Sequence, residues 1–103
     1  VEAIGFEPDE VECAKLNRSA PNHWKSVGFI PCALAGETGE KPIFICKDPI
    51  SNSLLQPDAE FAARFSNSAY ATVVERATVP AYNFPDAINQ FNIPQPDFIK
   101  LDV

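Results

Sequence analysis

The chain has 103 residues, 46% of them hydrophobic and 21% charged, with a net charge of −6 and an isoelectric point near 4.6. That length allows one domain at most, residues 1–103, which would bury only about two-thirds of its unfolded surface. The acidic balance argues against nucleic-acid binding and against docking on an anionic membrane as the main activity, and no apolar run approaches the roughly 20 residues that span a bilayer.

In chain order, Val1, Ala3, Ile4, Gly5 and Phe6 form a nearly continuous apolar run. Such a run predicts a short strand covered on both faces. Pro8 ends it, and Asp9 is placed to cap a helix reaching about Ser19, with Glu12 at the spacing of a capping box. Val11/Ala14 and Cys13/Leu16 predict an apolar stripe lying on a sheet. Glu10 and Glu12 in the first turn and Arg18 in the last suit the helix dipole. The segment "SAPNH" then breaks the helix.

A second strand is expected in "WKSVGFIPCALAG", where Pro31 implies either an edge strand or two shorter pieces with a kink. "GETGE" reads as a turn, and "KPIFICK" as a third strand, most simply the antiparallel hairpin partner of the second. "DPISNSLLQPD" reads as loop. Ala59, Phe61, Ala62 and Phe65 predict a short helix in "DAEFAARF". A run rich in β-branched residues predicts a strand around Ala71–Val79. "PDAINQFNI" predicts another short helix, with Pro85 at its start and Ile88 and Phe91 on one face. "DFIKLDV" closes as a final strand. Alternating strands and helices predict an α/β domain with a mostly parallel sheet, a β-hairpin and short helices. Ligands of such sheets bind beyond the carboxyl ends of the strands.

Two acidic residues are predicted at such ends. Glu7 either begins the helix cap or acts as a bidentate acceptor for the two hydroxyls of a ribose, flanked by Pro8 and Asp9. Lys100 and Asp102, two apart on a strand, share a face; they form either a structural ion pair or part of a functional cavity. The cysteines Cys13, Cys32 and Cys46 suit neither a disulfide framework nor a zinc site and are expected as buried thiols in a reducing compartment. A lone His23 beside Trp24 gives no metal site. The "SNSLL" loop, residues 51–55, has no claim to chemistry by itself. The aromatics, without interleaved basic residues, read as core.

Taken in order, "IGFEPD", "VGFIPCALAGETGE", "SNSLL", "TVPAYNFPDAI" and "PDFIKLDV" resemble the middle of an FkbM-family methyltransferase. "GFEPD" and "DFIKLDV" are the specific elements, and nearly the whole chain takes part. The resemblance implies an incomplete Rossmann-like sheet and a class I enzyme using S-adenosylmethionine to methylate a hydroxyl of a sugar or small metabolite in the cytoplasm. It further implies that Glu7, with Pro8 and Asp9, binds the ribose end of the cofactor and that Ala33 and Leu34 border the adenine. Asp102 and Lys100 are implied near the methyl-transfer site.

The chain departs from the family pattern at Asn83-Phe84-Pro85-Asp86, where Thr-Leu-Asp is expected, and in lacking the glycine-rich first strand-to-helix turn. It has no Met and no signal-peptide pattern, and is expected to be a piece of a longer protein, inactive when isolated. Without the family's first strand, the strands at 1–7 and 97–103 would each expose an edge, so they are expected to pair with each other or to recruit a neighbouring molecule. Two alternatives remain open, a nicotinamide-dependent oxidoreductase and a non-catalytic α/β interaction module.

Overall fold

The computed structural model describes residues 2–19, 26–66 and 68–101. Among them the order is β1 (Glu2–Phe6), α1 (Glu10–Arg18), β2 (Ser26–Ile30), β3 (Ala33–Leu34), β4 (Gly39–Cys46), α2 (Ala59–Ala62), β5 (Val73–Tyr82) and α3 (Phe84–Phe91). The chain divides into two compact units, Val1–Glu40 with Val79–Asp97, and Lys41–Thr78 with Phe98–Val103. The result is mixed α/β, with small sheets and short helices. No described helix is long and apolar enough to cross a membrane.

In the first unit, β1 and β2 pair in parallel from Glu2↔Ser26 to Phe6↔Ile30, with α1 between them in the chain. Gly5 lies opposite Phe29, whose ring occupies the space a side chain at Gly5 would need; a Cβ there would meet Phe29 Cδ1 at 2.5 Å. Helix α1 starts where expected, because the Asp9 carboxylate accepts the Glu12 N–H at 2.9 Å. The second half of the expected capping box is replaced. The Glu12 carboxylate pairs with Lys15 instead, and Glu7 accepts the Asp9 N–H at 2.9 Å. Only part of the expected stripe packs: Cys13 is buried and Leu16 half-buried, whereas Val11 is 64% exposed.

Pro31 divides the expected second strand into two pieces that enter different sheets. Beyond the break, Cys32 donates its N–H to Ile30 O at 2.9 Å. β3 then pairs in parallel with β5, Ala33 opposite Ala81 and Leu34 opposite Tyr82. Helix α3 follows at once. Its N-cap Asn83 accepts the Asp86 N–H at 2.8 Å, Pro85 sits in the first turn, and Asn92 ends it in the left-handed region at φ 51°.

In the second unit the end of β4 lies beside the start of β5, with the Lys47 N–H donating to Thr72 O at 2.8 Å. The strand order β3-β5-β4 puts β5 in the middle. The expected hairpin between "KPIFICK" and the preceding strand is therefore not formed. The break at Pro31 leaves β3 only two residues long, and its ladder is taken by β5, which also takes β4 along its ten residues. On its other side β4 is met by the "SNSLL" loop: Phe44 and Ser53 exchange backbone bonds of 2.8 and 3.2 Å, and the Asn52 side chain accepts the Cys46 N–H at 2.9 Å.

The predicted final strand is also absent among residues 97–101, which are irregular. Phe98 is 84% exposed and Leu101 67%. Apolar composition suits a strand, but a strand exists only in a hydrogen-bonded ladder, and residues 98–101 belong to none. The expected pairing between the first and last segments supposed a strand at 97–103, which residues 97–101 do not form. Asp102 and Val103 lie outside the described residues, as do His23 and Trp24.

Small side chains dominate the interior. The first unit buries Cys13, Cys32, Ala33, Val79, Ala81 and Ala87, and the second Phe44, Cys46, Ala62 and Ala71. All three cysteines are buried and free, as expected.

Candidate functional site

Glu7 is placed by the β1–β2 ladder. Its N–H donates to Ile30 O at 3.0 Å, which holds the residue at the carboxyl end of β1. The side chain is half-buried. One carboxylate oxygen accepts the Asp9 N–H, and the other has no partner among the described residues. Glu7 therefore braces the start of α1, the first of its two readings. Asp9 likewise uses one carboxylate oxygen, which accepts the Glu12 N–H at the helix cap. Pro8 is half-buried between them.

Ala33 and Leu34 lie just beyond the strand break that follows Ile30. Ala33 is 7% exposed and Leu34 half-buried, so Leu34 has more side chain to offer a ligand. Lys100 is exposed on an irregular segment rather than buried on a strand. Its expected sharing of a strand face with Asp102 involves a residue outside the described set.

Sequence reasoning missed a cleft of about 340 Å³ in the first unit, lined by Thr38, Tyr82, Asp86, Asn89 and Gln90. Thr38 is its organising residue. Its hydroxyl donates to the Asp86 carboxylate and accepts the Asn83 N–H at 3.1 Å. Tyr82 is held edge-on against Phe91, with ring centroids 5.2 Å apart at 77°. Asp86, Asn89 and Gln90 stand three and four residues apart and so share one face of α3; Ala87, off that face, is completely buried. That spacing was the signal available in the sequence.

A second cleft, of about 280 Å³, lies in the second unit between the "SNSLL" loop and α2. Ser51, Ser53, Leu55, Asp58, Phe61 and Tyr70 are among its walls. It is more apolar, and Phe61 stacks obliquely on Phe65 at 5.3 Å. No group of three or more His, Cys, Asp or Glu among the described residues is arranged to hold a metal ion. Burial, reinforced by the neighbouring Cys13, pushes the Cys32 thiol above its ordinary value of 9.0; this thiol is built to stay protonated. No protein family model, curated protein or solved structure matches the chain.

Proposed function

We propose that this chain carries the ribose-gripping part of an S-adenosylmethionine-dependent methyltransferase of the FkbM kind, acting on a hydroxyl of a sugar or small metabolite. The observation that carries the reading is Glu7 at the carboxyl end of β1 in a parallel β1–α1–β2 crossover. In doubly wound nucleotide-binding sheets the second and third strands are neighbours joined in this way, and ligands lie beyond the carboxyl ends.

The residues fit the ribose end of such a cofactor. Glu7 keeps a carboxylate oxygen without a partner among the described residues, and a charge-assisted bond from a sugar hydroxyl is strong and short. The Asp9 N–H holds the first oxygen in place, so the acceptor is oriented before a ligand arrives. Leu34, half-buried beyond the strand break, offers apolar surface to a flat ring, and its strand neighbour Ala33 is buried. Bound S-adenosylmethionine would supply an electrophilic methyl group for in-line displacement by the acceptor oxygen. The protein's share of that chemistry is proximity and orientation, with a base for the acceptor proton where one is needed. Asp102 and Lys100 are assigned to that end of the site by the resemblance alone.

The test is calorimetric titration of the protein that carries this chain with S-adenosylhomocysteine and, separately, with NAD. Heat with the first ligand is expected, weakened about 10- to 100-fold by Glu7→Gln, the equivalent of one charge-assisted hydrogen bond. Heat with NAD alone would assign a nicotinamide-dependent oxidoreductase. No heat with either would leave an interaction module on an α/β frame.

A further inference from the structure

The cleft on α3 has a composition that selects its ligand. Asp86 is the one charged residue among its five lining residues. The Thr38 hydroxyl donates to that carboxylate without neutralising it. Asn89 and Gln90 are exposed, and neither side-chain amide is engaged by another described group. Around this charge the chain as a whole carries −6. Anions are disfavoured at such a place and cations are drawn to it.

We infer that the Thr38–Tyr82–Asp86–Asn89–Gln90 cleft binds a guanidinium group. The Asp86 carboxylate, with the Asn89 and Gln90 amides beside it on one helix face and each able to turn its oxygen inward, suits a planar fork with five N–H donors. A compact ammonium presents only three donors from one point. Guanidinium is also weakly hydrated and lies comfortably against an aromatic wall, here Tyr82, which Phe91 holds in place. A cleft of about 340 Å³ has room for the planar group and the aliphatic stem behind it. Such a group arrives either as a free guanidino compound or as an arginine side chain of a partner protein. This assignment stands apart from the methyl-transfer reading, since it uses none of the residues invoked there.

The experiment is a two-dimensional amide NMR titration of the isotope-labelled chain with four probes: ethylguanidinium, a capped Gly-Arg-Gly peptide, n-butylammonium and glucose. Shifts confined to Thr38, Tyr82 and α3 are expected with the two guanidinium probes, saturating at about 1 mM because the cleft is open to water. Tighter binding of the peptide would identify a partner's arginine as the source, and equal binding a free compound. Asp86→Asn should weaken both about tenfold. If that variant loses its fold, the Asn89→Ala/Gln90→Ala pair, on an exposed helix face, replaces it and should weaken them as well. Equal response to butylammonium, a response to glucose in place of guanidinium, or no shifts with any probe would each overturn the assignment.

Discussion

Asn17 performs a task that its sequence position does not announce. In a parallel ladder alternate residues turn both backbone groups to the same side. Ile30 faces β1, so Phe29 faces the open edge of β2. There the Asn17 side chain donates to Phe29 O at 3.0 Å and accepts the Phe29 N–H at 2.8 Å, standing in for a missing strand. Replacing Asn17 by Ala removes both bonds. Each is worth about 1 kcal/mol net, and alanine regains about 0.5 kcal/mol of helix propensity. The expected loss is therefore about 1.5 kcal/mol, or about 6–12 °C in melting temperature for a domain of this size.

Asn17→Asp sharpens the test. The introduced carboxylate keeps an acceptor for the Phe29 N–H but loses the donor and turns a charge toward the Phe29 carbonyl. Protonation restores an O–H donor, so folding raises the acid's pKa. Its stabilising bond is present below the unfolded value of about 3.9 and is lost as pH rises through the folded value. Urea denaturation followed by circular dichroism at pH 3 and pH 7 reads both effects. An Asn17→Ala variant within 0.5 kcal/mol of the parent, together with no pH-dependent gain in Asn17→Asp, would refute the idea that this amide closes the sheet edge.

Gly5→Ala should cost about 1–3 kcal/mol in urea denaturation, because the new Cβ would meet the Phe29 ring at 2.5 Å and force it aside. Adding Phe29→Leu should recover part of that loss, and additive costs would show that the two sites are independent. Cys32, with its raised pKa, should alkylate with iodoacetamide more slowly than a free thiol at pH 8. Stability should be unaffected by this group below its ordinary value of 9.0 and fall as pH rises above it, since the unfolded thiol ionises first; denaturation midpoints between pH 8 and 10.5 check the sign.

Local signals carried much of the architecture. Asp9 and Ser19 bracket α1 as the sequence implies, and Pro31 splits its strand because a residue without an N–H interrupts a ladder. Asn83, with Pro85 behind it, starts α3. What was not legible is non-local. The partner of β4 is decided by a strand some thirty residues later in the chain, so adjacency and a plausible "GETGE" turn pointed to a hairpin that does not exist. Residues 98–101 have a strand's composition but belong to no ladder. Asn17 and Asn52 look like ordinary polar residues until the edges they cover are known. In the candidate site, Glu7 was found because it ends an apolar run before a proline. The α3 cleft was not found, because Thr38 and Tyr82 come from separate elements and only folding puts them beside Asp86.

An interior built from alanine and cysteine, with Phe44 and Val79 as its larger members, has an asymmetric tolerance to sequence drift. Trimming such a side chain removes few atoms, so shortening substitutions meet little resistance. Enlarging one is another matter: at Ala87, with no exposed surface, or Ala62, at 1%, even a valine must push neighbours out of a close-packed arrangement, at about 1–3 kcal/mol. Descendants of this sequence are therefore free to lose bulk inside and are held back from gaining it.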